Sequence, residues 1–185
     1  MRWIVRTAPL LCVAMVALLL AESSALAKVA PATLAELVRW SDFIGIVRVD
    51  RVRGRIPLVK RRRASATILQ SWKGQRDGVV SFVAQATWTC DISEAKQGEE
   101  AVVFIQGDRL VLAGRGRMPI FSRAGRRLAA IWPDVYLPPD LATEEGPEPN
   151  DRLIRGADVD DLATTVARSS SRTAEAKSTR RPTTE

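Results

Sequence analysis

Histidine is missing from all 185 residues. That absence removes Ser–His and Cys–His nucleophile pairs and imidazole zinc ligands, because no side chain that ordinarily titrates near neutrality is left to take a proton or hold the metal. Cysteine is nearly missing, with Cys12 and Cys90 the only two. The chain has no glycine-rich phosphate loop of the Walker type and no dinucleotide fingerprint after a strand. Gly114-Arg115-Gly116-Arg117 shares only two spaced glycines with the latter. Paired carboxylates occur as Glu99-Glu100 and Asp160-Asp161. Neighbours in sequence diverge on a strand or a helix, so they make poor acid–base pairs. These gaps point away from an enzyme, and the residues call for no cofactor and no metal.

A long apolar run is also lacking. The longest, residues 8–21, has 14 residues and is broken by Pro9, whereas spanning a bilayer takes about 20. Arg2 and Arg6 precede it and Ala25-Leu26-Ala27 follows it. A positive start, a short apolar centre and a small-residue end are the parts of a secretory signal peptide. Residues 1–27 are therefore expected to be cleaved between Ala27 and Lys28, leaving a secreted or periplasmic protein that does not span a membrane. Cys12 lies too early in the run, and lacks the small residue before it, for a lipoprotein. On this reading Cys90 stands alone in the mature chain. It is either buried and inert or a thiol open to pairing with another chain.

Charge is unevenly spread. Residues 28–139 hold 19 Lys and Arg against 10 Asp and Glu, and residues 140–185 hold 7 against 10. A basic body with an acidic tail fits contact with an anionic surface, and a compositional bias of the source proteome explains it equally well.

Local patterns predict a mainly β chain. Residues 30–41 read as a short helix: Thr33-x-x-Glu36 has capping-box spacing, and Leu34, Leu37 and Val38 make one apolar stripe. Residues 43–49, 64–71 and 79–84 read as strands. Within residues 98–117, the unbroken apolar run 101–105 reads as a strand covered on both faces, Gly107-Asp108 as a tight turn and 110–112 as its partner, with Gly114 and Gly116 as the bend that curls a sheet into a barrel. Residues 119–121 and 128–132 form a last pair of strands. Residues 28–139 thus make a small five- to six-stranded OB-like barrel with one short N-terminal helix. Residues 140–185 read as linker, a short helix over 157–168 with Val159, Leu162 and Val166 on one face, and a disordered tail from Ser169.

The most unusual segment, residues 51–63, holds Arg51, Arg53, Arg55, Lys60, Arg61, Arg62 and Arg63 without one acid. It reads as the tip of the hairpin between the first two strands and as the candidate contact for an anionic partner; a solvated tip that merely protects a sheet edge is the plainer reading. Cys90 sits in Trp88-Thr89-Cys90-Asp91, where a thiol lies beside a carboxylate. With no base, and with a neighbour that raises its pKa, this is a poor nucleophile.

The order of elements resembles a family. A helix running into a strand at 34–49, Ser71-Trp72-Lys73-Gly74 closing the second strand, a short third strand, then Gly98-Glu99-Glu100 opening the run to Ile105 and a hairpin ending in Gly114-Arg115-Gly116-Arg117 are similar to small secreted bacterial proteins with a netrin-like, or tissue-inhibitor-of-metalloproteinase-like, OB-fold domain. The resemblance covers residues 31–132. It implies export and a barrel. The family's inhibitory mechanism needs an amino-terminal cysteine and several disulfides, which this chain lacks. Two functions follow as expectations: a non-catalytic envelope module contacting an anionic envelope component through the basic hairpin, with nucleic acid not the intended ligand; or an inhibitor or assembly factor meeting a protein partner through the barrel rim and Cys90.

Overall fold

The apolar run at 101–105 has no outward side. In the computed structural model, which describes residues 30–53, 62–74, 76–86, 91–147 and 154–178, it forms the centre of strand β5 (Glu100–Gln106), and Ala101 through Ile105 are all buried. Ala101, Val103 and Ile105 face one core, and Val102 and Phe104 face a second. The expected signal peptide, Arg55, Lys60, Arg61, Trp88 and Cys90 lie outside the described residues.

The first core fills a closed barrel. The short strands β1 (Ala32–Thr33) and β9 (Val135–Tyr136) pair with each other in a separate sheet; the barrel's strands are β2 (Phe43–Arg53), β3 (Arg63–Lys73), β4 (Val79–Val83), β5 and the two-residue β6 (Arg109–Leu110). β2 pairs with β3, β3 with β4, β4 with β6 in parallel, β6 with β5, and β5 back with β2. One parallel contact closing an otherwise antiparallel ring is the expected OB-like barrel. Phe43, Val47, Val49, Ala66, Phe82 and Leu110 fill it with residues of β5. The Gly107-Asp108 turn joins β5 to β6 with Gly107 at φ +61°, a conformation that glycine adopts without a Cβ clash.

The second core lies outside the ring. The other faces of β2 (Ile44, Ile46) and β5 share this core with residues of β7 (Arg117–Arg123) and β8 (Arg126–Ile131), which continue the sheet from the edge of β5, and of two helices, α1 (Leu34–Trp40) and α2 (Val159–Ser178). α1 is shorter than expected, but its capping box is present: the Thr33 N–H donates to Glu36 Oε2 at 2.8 Å and the Glu36 N–H to Thr33 Oγ1 at 3.2 Å. Lys73 Nζ closes the other end by donating to the carbonyls of Val38 at 2.6 Å and Ser41 at 2.7 Å. Burial of this ammonium pushes its pKa below the usual lysine range, with Asp42 working against the shift.

The bend expected at Gly114 and Gly116 arises elsewhere. The β2–β3 pairing slips between Ile44 and Gly45, between Ile46 and Val47, and between Val49 and Arg51. Each slip is a bulge that bends and twists the hairpin round the core. The second strand of the expected hairpin also stops early, at Leu110, because residues 111–116 form a separate turn. Gly114 belongs to that turn: its φ is +87°, and a Cβ there would lie 2.4 Å from the Ser93 nitrogen.

The C-terminal part corrects the boundary drawn after Pro139. Residues Thr143–Glu145 form β10 and Arg155–Asp158 form β11, which extend the sheet beyond β8. α2 buries Val159, Leu162 and Val166 in the second core, the face expected of it. It runs to Ser178, so residues 169–178, expected to be disordered, are helical. Asp158 leads into this helix and accepts from the Asp160 N–H at 3.0 Å and from Arg126 Nη2 at 3.2 Å. Burial alone would raise its pKa; the backbone bond from Asp160 and the Arg126 guanidinium outweigh that and hold it below the usual carboxylate range. Asp158→Ala is expected to cost about 1 kcal/mol, the value of an N-cap. A group whose folded pKa is depressed stabilises above its unfolded pKa and loses that contribution as pH falls through the folded one. Asp158→Asn should therefore flatten the acid limb of a stability–pH curve, measured by urea denaturation, while keeping most of the cap.

Candidate anion-binding face

The third bulge decides which way the arginines point. Along β2, Phe43, Val47 and Val49 face inward at every second place. Asp50 is the extra residue, unpaired between Val49↔Ala66 and Arg51↔Ser65. One inserted residue reverses the alternation, so Val52 turns towards the core and Arg51 and Arg53 turn out, both exposed. Without the bulge the two guanidinium groups would point into the barrel.

Register then places hydroxyls beside them. Arg51 lies opposite Ser65 on β3, and Ser65 opposite Ser81 on β4; Arg53 lies opposite Arg63. Adjacent strands are about 4.8 Å apart and alternate residues along one strand about 6.8 Å apart. Arg51, Arg53, Arg63, Ser65 and Ser81 with Asp50 line a groove of about 620 Å³.

The four described residues of the basic hairpin do not share one state. Arg63 Nη1 donates to Asp108 Oδ2 at 2.7 Å and its Nε to Ser81 Oγ at 3.3 Å. The Arg63 hydrogen bond holds the Asp108 carboxyl below the usual carboxylate range. Arg62 lies 3.6 Å from Glu94, and its backbone N–H donates to Gln85 Oε1 at 2.9 Å. Asp50, which lines the same groove, accepts from Thr67 Oγ1 at 2.8 Å and has Arg48 Nε 3.9 Å away. Among the described residues, Arg51 and Arg53 meet no acid. Two such charges about 7 Å apart repel by roughly 0.6 kcal/mol in water, and an anion between them reverses the sign.

The sequence missed two buried arginines. Arg115 and Arg117, in the segment read as a bend, are 9% and 8% exposed. Arg115 Nε donates to Asp134 at 3.0 Å, and Arg117 Nη1 to both Glu99 oxygens at 3.1 Å. Their acids lie 19 and 18 residues away, a separation no local pattern reveals. Glu100, adjacent to Glu99, goes to Arg127 instead, at 2.8 Å.

Among the described residues, no group of three or more His, Cys, Asp or Glu is placed to hold a metal, and no helix is long and apolar enough to cross a membrane. No protein-family model, no curated protein and no solved structure matches this chain.

Proposed function

We propose that this protein is an exported, non-catalytic binding module of the cell envelope that holds an anionic partner on the outer face of β2, β3 and β4. One observation carries the reading: Arg51 and Arg53 stand side by side on a strand, turned outward by a bulge, unmatched by any acid among the described residues and flanked by the hydroxyls of Ser65 and Ser81. Guanidinium groups and hydroxyls together supply donors for sulfate, phosphate or carboxylate groups repeated along a polymer or crowded on a surface. The position also fits by analogy of fold. OB barrels bind extended ligands on the face of their second and third strands; here these are β3 and β4. Export, supported by the N-terminal sequence pattern, favours an envelope polyanion over nucleic acid. The netrin-like resemblance is part of the same proposal, supported by the ring order and the leading helix.

On an immobilised sulfated polysaccharide at low salt, Arg51→Ser/Arg53→Ser should bind roughly tenfold more weakly than the parent, the loss expected of two exposed charge-assisted contacts. Both substitutions lie on the solvent side, so thermal stability should stay within about 0.5 kcal/mol of the parent. Unchanged retention of a folded double variant would remove the proposal.

A further inference from the structure

The groove on β2, β3 and β4 ends at an arginine that is already occupied. Arg53 and Arg63 lie opposite each other on β2 and β3, and both line the groove. Arg53 meets no acid among the described residues, whereas Arg63 Nη1 donates to Asp108 Oδ2 at 2.7 Å. Asp108 belongs to the turn between β5 and β6 and stands beyond the residues that line the groove.

Arg63 reaches away from β2. Its Nε donates to Ser81 Oγ at 3.3 Å, and Ser81 lies on β4 opposite Ser65, one alternate position along from Val83, which faces Arg63. The guanidinium group is thus drawn over β4, about two strand spacings, or roughly 10 Å, from β2. Among the described residues these contacts use two of its five N–H donors. The Arg63 side chain is 39% exposed and that of Asp108 51%, so both ends of the pair are open to a ligand. Of the charges lining the groove, Arg51, Arg53 and Arg63 outnumber Asp50.

The backbone fixes Asp108 at this place from both sides. The Val83 N–H donates to its carbonyl at 2.8 Å, and the Gly107 N–H donates to Asp42 Oδ2 at 2.8 Å. Arg109, one residue on, pairs with Val83. The carboxylate itself is held first by Arg63, with Arg109 adding attraction. Swinging it out takes a side-chain rotation and leaves the backbone bonds in place.

We propose that Arg63 is a third anion subsite of the groove, filled by Asp108 until an extended polyanion displaces it. The inference rests on the reading of the β2–β4 face as an anion-binding face, and it narrows the ligand to a chain that crosses the strands. Two anionic groups of that chain meet Arg51 and Arg53. A third, about 10 Å from β2, replaces the Asp108 carboxylate on Arg63 beside the Ser81 hydroxyl. A lone sulfate or phosphate is satisfied by the open pair and gains nothing by displacing Asp108, so this residue tilts the groove towards long ligands.

The test is the affinity for a heparin decasaccharide, measured by isothermal titration calorimetry at one fixed, low salt concentration. Asp108→Ala should tighten binding roughly twofold to fivefold, the scale of an exposed ion pair. Asp140→Ala makes the same change of net charge and frees Arg168 on α2, its partner at 2.9 Å. It should move the affinity by well under twofold, because salt screens a distant exposed charge. In an Arg63→Ser background the gain from Asp108→Ala should vanish. Asp108→Asn keeps a polar side chain in the turn and takes the place of the alanine variant if that one does not fold. Equal gains from Asp108→Ala and Asp140→Ala, or a gain that survives Arg63→Ser, overturn the inference. No gain from Asp108→Ala while Arg51→Ser/Arg53→Ser still loses binding overturns it too and leaves the anion-binding face standing. Undiminished binding by Arg51→Ser/Arg53→Ser removes both.

Discussion

Phe104→Ala is expected to lower stability by about 3–5 kcal/mol and Ile105→Ala, one residue on, by about 2–5 kcal/mol. Neighbours on an ordinary strand differ in this respect, because one faces the core and the other faces water, where truncation costs about 0.5 kcal/mol or less. On β5 both are wholly buried, Ile105 in the barrel and Phe104 in the core beneath the helices. β5 is therefore the wall common to both cores, bonded to β2 on one edge and to β6 and β7 on the other. Urea denaturation of the two variants checks this. A large loss at one position with almost none at the other would mean that β5 has a solvent side, contrary to the packing described.

Glu99→Leu is expected to cost about 3–5 kcal/mol, because it leaves the Arg117 charge buried without its counter-ion. The two side chains are 13% and 10% exposed. Adding Arg117→Met to Glu99→Leu should recover most of that loss, since an apolar pair of similar bulk needs no desolvation of charge. The comparison of single and double variants by chemical denaturation is the check. If the double variant is as unstable as the single, the pair's value lies in its geometry rather than in mutual neutralisation. The pair anchors β7 beside the 91–97 segment, because Arg117 also reaches the Ile92 carbonyl.

Sequence patterns reached the barrel because its strands are marked locally. The run 101–105 has no polar residue and so declared two-sided burial, Gly107-Asp108 marked the turn, and Thr33 with Glu36 marked the helix start. The C-terminal elements carry no such mark. β10 is Thr-Glu-Glu and β11 is Arg-Gly-Ala-Asp; their strand state comes from pairing with each other and with β8, not from propensity. Residues 169–171 look disordered by composition, but the hydroxyls of Ser169, Ser170 and Ser171 donate to carbonyls four residues back, at 2.9, 2.9 and 3.2 Å, within an established helix.

The candidate face was half legible. Seven basic residues in residues 51–63 announced an unusual charge density, but the phase of β2 decided which of them face solvent together, and that phase depends on a bulge at Asp50 that no turn residue signals. Asp108, Glu94 and Gln85, which occupy Arg63 and Arg62, come from β4–β6 and the connections between them. Long-range pairing of this kind is set by the closed ring and leaves no trace in local sequence.

The most direct measurement of the central claim compares two double variants of equal net charge for affinity to a sulfated polysaccharide. Arg51→Ser/Arg53→Ser removes the pair on β2; Arg39→Ser/Arg168→Ser removes two exposed charges from α1 and α2. A roughly tenfold loss is expected for the first and almost none for the second. Equal losses in both would contradict that claim, because binding would then follow net charge rather than the face built by β2, β3 and β4.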